Sequence, residues 1–237
     1  MTNINRRTFI AGLSAFSSFS IIDPARAQQD SPLPISYQHG VASGDPLQTK
    51  IILWTRLSLD PDQNHDLELK SQAANIAINV QWQVSSDLQF TNIVSQGTTN
   101  TSIQRDYTVK VDAANLEPDS RYFYRFICNG SISPIGRTRT LPALDHAGGQ
   151  TKKSPSGQQA ELAVVSCSNY GYGYFNVYQE ISQQTNLTAV LHLGDYIYEY
   201  ANDVYSDPEL ANKERRIEPL TEITHLDDYR QRYNTYR

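Results

Sequence analysis

The sequence predicts two folds in series: an antiparallel β-sandwich, then the opening of an α/β domain. Three observations predict this. From about Tyr37 to Leu141, short β-rich runs alternate apolar and polar side chains and are separated by turns, with little helical spacing. The stretch 143–160 then turns polar, with Gly148-Gly149, Lys152-Lys153 and Ser154-Pro155-Ser156-Gly157, and reads as a linker or surface loop. Beyond it, two continuous apolar runs flank a segment of helical spacing, which is the strand–helix–strand unit of a parallel sheet.

The first element is an address. Arg6-Arg7 precedes an apolar stretch, Ile10 to Ile22, which Asp23-Pro24 breaks, and Ala25-Arg26-Ala27 offers the small-x-small pattern that a signal peptidase needs. That stretch is shorter than the about 20 residues of a membrane span, so no stable membrane span is expected. Paired arginines before a weakly apolar, Ser- and Ala-rich segment predict a twin-arginine signal over 1–27, with an ordinary secretion signal as the alternative. The expected partner is the twin-arginine export machinery, and the expected location is periplasmic or secreted.

The second element is the sandwich, over 37–142. Strands are predicted at Ile51–Leu57, Ala77–Val84, Asp106–Val111 and Arg121–Phe126, the last with Tyr122, Tyr124 and Phe126 on one face. Leu116-Glu117-Pro118-Asp119-Ser120-Arg121-Tyr122 is similar to the tyrosine corner of immunoglobulin-like and fibronectin type III domains, where a tyrosine hydroxyl bonds back to upstream backbone. Trp54 and Trp82 are read as core or inter-sheet packing.

Composition narrows the function classes. The chain has 237 residues, 39% hydrophobic and 19% charged, which excludes long disorder. Its formal net charge is -5 and its basic residues form no long block, so a nucleic-acid partner recruited by charge is not expected. The two cysteines differ in context: Cys128 follows a strand-like run and reads as a small buried hydrophobe, while Cys167 ends a strand and is not expected to pair with it.

The third element, 161–237, carries the chemistry. Leu162–Ser166 reads as a strand buried on both faces, Phe175, Tyr178 and Ile181 recur at helical spacing, and Leu187–Leu193 is the second strand. Ligands of such sheets gather beyond the carboxyl ends of the strands, where Cys167 and Asp195 both lie. Gly194 permits a sharp turn that presents Asp195. A carboxylate from Asp195, a thiolate from Cys167 and a phenolate from Tyr198 together combine hard and soft donors and point to a transition metal. Taken singly, each is weak: a strand-end Asp is more often a turn cap, and a Tyr in a chain with 15 of them is usually packing. His192, inside the strand, is read as packing, and His225, before the last helix, as surface.

Leu191-His192-Leu193-Gly194-Asp195-Tyr196-Ile197-Tyr198-Glu199-Tyr200 resembles the signature of PhoD-type alkaline phosphatases. Ser166-Cys167-Ser168 with Gly173-Tyr174-Phe175 resembles the preceding family motif. His39-Gly40-Val41-Ala42-Ser43-Gly44-Asp45-Pro46, running on to Ile52–Leu57, resembles the start of the family's N-terminal domain, and Leu226–Tyr233 resembles a later helix. The resemblance implies an immunoglobulin-like domain followed by a calcineurin-like metallophosphatase domain that hydrolyses phosphoesters at an iron and calcium site. It implies Cys167 as thiolate iron ligand, Asp195 as bridging carboxylate and Tyr198 as phenolate iron ligand.

A two-metal site needs more ligands than these three. In the family they lie on later strands, and neither His192 nor His225 resembles one of them. The expectation is therefore an incomplete metallophosphatase domain, from a fragment or an interrupted gene, that does not hydrolyse phosphoesters efficiently as written. The alternatives are a non-enzymatic exported binding module built on the β-sandwich, and an exported nuclease or phospholipase of the same metallophosphatase class.

Overall fold

The computed structural model describes residues 34–59, 77–143 and 160–237. Arg6 and Arg7 of the export signal, and nearly all of the linker, lie outside the described residues. Leu33–Arg237 form one compact unit.

Among the described residues, ten strands build the first region: β1 (Ile35–Ser36), β2 (Val41–Gly44), β3 (Ile51–Arg56), β4 (Ser58–Leu59), β5 (Ile78–Ser85), β6 (Ile93–Thr101), β7 (Thr108–Ala113), β8 (Arg121–Cys128), β9 (Ser131–Ile132) and β10 (Gly136–Arg139). Two larger sheets have the orders β2-β3-β7 and β10-β8-β5-β6, the second with β9 also pairing β8, and β1 pairs β4 apart from them. Every pairing in these two sheets is antiparallel. Period-two alternation sets the core. Leu53 from β3, Val80 and Val84 from β5, Val109 from β7, and Tyr124 and Phe126 from β8 are all at most 2% exposed. Fully burying side chains of this kind stabilises by about 1.5–3 kcal/mol each.

The tyrosine corner is present. The Glu117 N–H donates to the Tyr122 hydroxyl at 2.8 Å, and Thr140 Oγ1 donates to the Glu117 carbonyl at 2.6 Å. Trp82 packs against the core, and its ring lies over Gly97, where a Cβ would come within 2.8 Å of it. Trp54 is different. Ile51, Leu53 and Thr55 point inward from β3, so Ile52, Trp54 and Arg56 face outward, and Trp54 lines a groove outside the core. The predicted core role for Trp54 is thus corrected by strand parity. The sequence reading also misses β2, β6 and β10. The residues of β6, Ile-Val-Ser-Gln-Gly-Thr-Thr-Asn-Thr, are mostly polar because that strand forms a sheet edge and is largely wet.

The second region contains β11 (Leu162–Val165), α1 (Asn176–Gln183), β12 (Ala189–His192), α2 (Pro208–Lys213) and α3 (Leu226–Tyr236). β11 and β12 pair in parallel. The predicted burial of both strand faces is not found. Leu162, Val164, Val190 and Leu191 are 50, 57, 49 and 43% exposed, because the helices of this region, among the described residues, leave both faces of the two-stranded sheet largely uncovered. Aromatic contacts, buried Arg232 and half-buried Arg215 hold this region together instead. Tyr170, Phe175 and Tyr236 meet at ring centroids 5.5–6.1 Å apart, with the Arg215 guanidinium 3.4 Å over Tyr170.

Cys128 and Cys167 are both free thiols, Cys128 buried and Cys167 exposed. No helix among the described residues is long and apolar enough to cross a membrane.

Candidate functional site

Parallel pairing puts the two strand exits side by side. Val165 pairs with His192, so β11 and β12 end at the same edge. Three backbone bonds then join the exits: Leu193 N–H to Val165 O at 2.8 Å, Cys167 N–H to Gly194 O at 3.0 Å, and Ser168 N–H to Asp195 O at 2.8 Å. Gly194 takes φ +128°, as the predicted sharp turn requires. Cys167 and Asp195 themselves take left-handed backbone, at φ +60° and +52°. For residues with a Cβ that conformation costs about 1–2 kcal/mol each, strain of the kind that concentrates at functional sites.

The three predicted donors come together. Cys167 Sγ donates to Asp195 Oδ2 at 3.4 Å, and the Tyr198 hydroxyl donates to the same oxygen at 3.1 Å. Loss of hydration, then hydrogen bonding with Cys167 and Asp195, pushes the Tyr198 phenol well above the usual tyrosine range. A cavity of about 390 Å³ opens beside Cys167, lined also by Asn169, Tyr172 and Tyr174; Asp195 and Tyr198 stand outside its wall.

Side chains that sequence reasoning missed brace this edge. Buried Ser168 bonds through Oγ to the Tyr178 hydroxyl and, at 2.8 Å, to His192 Nε2, which also lies 3.1 Å from the Tyr178 hydroxyl. His192 thus packs, as predicted, against Tyr196, and also ties α1 and β12 to the Cys167 turn. Asn169 accepts from the Gly171 N–H and donates to the Tyr205 carbonyl. Arg232 on α3 is fully buried. Its guanidinium donates to the carbonyls of Tyr198, Tyr200, Glu218, Pro219 and Thr221, gathering the segment that carries Tyr198. Nothing local in the sequence marks Arg232 as buried. His225 is exposed, as predicted, and caps the start of α3 with Asp228.

Among the described residues, no group of three or more His, Cys, Asp and Glu side chains gathers to hold a metal ion; the cluster here is one Cys, one Asp and one Tyr. Its spacing suits an ion nonetheless. Two donors each about 2.0–2.3 Å from one ion stand roughly 3–3.7 Å apart, and the Sγ–Oδ2 and Oη–Oδ2 distances are 3.4 and 3.1 Å.

Comparison with known proteins identifies the lineage. A family model described as "PhoD-like phosphatase, N-terminal domain" matches residues 23–142, and one described as "PhoD-like phosphatase" matches 162–237. The chain belongs to the PhoD-like phosphatase family. It is 35% identical to "Alkaline phosphatase D" of Bacillus subtilis (strain 168) over 95% of its length, covering 35% of that relative. It also matches the solved "Structure of PhoD" at 34% identity and a TM-score of 0.67, over 88% of this chain and 36% of that one. The PhoD-like chain therefore spans about a third of the length of these relatives. The first matched PhoD-like segment holds the sheet-rich region with Trp54 and Tyr122, and the second holds Cys167, Asp195 and Tyr198.

Proposed function

We propose that Cys167, Asp195 and Tyr198 are metal ligands of an exported alkaline phosphatase or phosphodiesterase, acting on phosphoesters to release phosphate. The observation that carries this reading is the meeting of a thiol, a carboxylate and a phenol at one strand edge, at separations that suit one shared ion. The mixed donors suit a transition metal beside a harder cation, iron and calcium in this reading. Bound there, the metals supply Lewis acidity toward the phosphoryl oxygens and lower the pKa of the attacking water. This chain's own residues hold the three donors in place. Asp195 Oδ2 is shared between Cys167 Sγ and the Tyr198 hydroxyl, which brings the three donors together. Ser168, His192 and Tyr178 hold the Cys167 turn, and Arg232 holds the backbone at Tyr198. In this reading 37–142 is the immunoglobulin-like domain, 143–160 the linker and 161–237 metallophosphatase chain. The segment 1–27, with Arg6 and Arg7, directs twin-arginine export to the periplasm or beyond.

The test measures metal and turnover together. The protein purified from its native host is assayed for iron and calcium by mass spectrometry, for thiolate-to-iron absorption, and for phosphate release from aryl mono- and diesters. Cys167→Ser should remove the iron, the absorption band and the turnover together. Unchanged iron content in that variant would sink the assignment.

A further inference from the structure

We infer that the groove between the sandwich and α3 is a separate binding site for an organic anion with a flat apolar body. The groove encloses about 470 Å³, within the roughly 300–1,000 Å³ typical of small-ligand pockets. The sandwich supplies one wall with Trp54, Arg56 and Arg105, and α3 supplies the other with Leu226, Tyr229 and Tyr233. Neither Cys167, Asp195 nor Tyr198 lines it, so the site stands apart from the proposed metal ligands.

Charge argues for an anion. Arg56, Arg105, Arg230 and Arg237 line the groove in a chain whose net charge is -5; Asp106 pairs with Arg56 and Asp227 with Arg230, so the charge left for a ligand is carried mainly by Arg105. A positive cleft in an acidic molecule focuses anions locally. The arginines have different tasks. Arg56 is held by both Asp106 oxygens, at 3.0 and 2.9 Å, and by His39 Nε2 at 2.7 Å, which fixes the floor. Burial, with Arg56 and Arg237 nearby, lowers the His39 pKa to about 4, so His39 is neutral at pH 7 and adds no charge of its own. Arg230 donates to the Gln104 carbonyl and to Asp227, tying α3 to the sandwich. Arg105 is exposed, and no carboxylate among the described residues pairs with it, so it can meet a ligand's charge.

Apolar surface argues against a bare inorganic ion. Leu226 is 65% and Tyr233 44% exposed on the α3 wall, opposite Trp54. A small anion would satisfy the arginines and leave that surface wet. A ligand with a ring or comparable flat body would cover it, adding burial to the charge contact.

The probe is 8-anilinonaphthalene-1-sulfonate, titrated by fluorescence into the whole chain, with phenylphosphonate and inorganic phosphate as competitors. One saturable site is expected, with phenylphosphonate displacing the dye at least tenfold more effectively than phosphate. Arg105→Glu and Leu226→Asp should each weaken dye binding about tenfold, and circular dichroism should show both variants folded. Asp195→Asn should leave binding unchanged, which separates this site from the proposed metal centre. The inference falls if both groove variants bind the dye as the unaltered chain does, if Val190→Asp on the exposed β11–β12 sheet abolishes binding instead, or if phosphate competes as well as phenylphosphonate.

Discussion

In the sandwich, alternate side chains leave water: Leu53, Val80, Val84 and Phe126 are fully buried between two sheets. In the α/β region the same residue types stay wet, with Val164 57% and Leu193 71% exposed. The second region is fixed by other means, namely arginine-to-carbonyl bonds, edge-to-face tyrosines and strand exits bonded to each other. One region therefore draws its stability from area removed from water, and the other from directional contacts around the candidate site. The lesson concerns function as well. The region that carries the chemistry is the one whose geometry rests on a few polar groups, so single substitutions there should displace ligands without unfolding the sandwich.

The largest expected effect tests the sandwich half of this contrast. Phe126→Ala should cost about 3–5 kcal/mol of unfolding free energy, because it removes a fully buried ring and leaves a cavity. Leu191→Ala, on the exposed face of β12, should change stability by only about 0.5 kcal/mol. Urea unfolding followed by far-ultraviolet circular dichroism, which reports both regions, measures both. Equal losses would show that the two regions share one kind of core.

The next effect tests the other half. Arg232→Met should cost about 3 kcal/mol, because it strands buried carbonyls that the guanidinium now satisfies. Hydrogen exchange should rise over 198–223 while the sandwich strands keep their protection. Uniform loosening of both regions would break the comparison.

Much of this contrast was legible in the sequence, for a physical reason. Strands such as Ile78–Ser85 and Arg121–Cys128 announce themselves because burial on one face imposes period two. Cys167 and Asp195 could be placed together because a strand–helix–strand unit puts both strand exits at one edge of a parallel pair, while Tyr198, weak taken singly, was named for its place beside Asp195 and for the family resemblance. Other features were not. Trp54 is apolar and β-placed, and only the parity of β3 decides that it faces outward. The polar edge strand β6 resembles a loop in composition because its hydrogen bonds, not its side chains, place it in the sheet. Arg232 and Ser168 are polar residues whose burial depends on partners distant in sequence, which no local pattern encodes.

A smaller effect separates hydrogen bonding from burial within the sandwich. Tyr122→Phe keeps the buried ring but leaves the Glu117 N–H without its acceptor, so about 1 kcal/mol should be lost. The midpoint of urea unfolding should fall with the slope unchanged. Loss on the scale of Phe126→Ala would mean that the corner organises the sheet rather than capping it.

The smallest effect lies where the two regions meet. His39 has its pKa lowered to about 4 by burial first and then by the Arg56 and Arg237 charges, with Asp106 opposing them. Its unfolded value is about 6.5. Between these values the unfolded chain binds the extra proton, so stability is fully present above about pH 6.5 and declines as pH falls toward 4. Carboxylates titrate at the lower end of this window, so the raw profile cannot identify the group; the difference between the unaltered chain and His39→Gln can. Because His39 is only half-buried, solvent screening should keep the effect modest. Stability of the His39→Gln variant should fall less steeply between pH 6.5 and 5, measured by urea unfolding at each pH. Parallel profiles would show that the seam between sandwich and α3 opens to water and holds no neutral histidine.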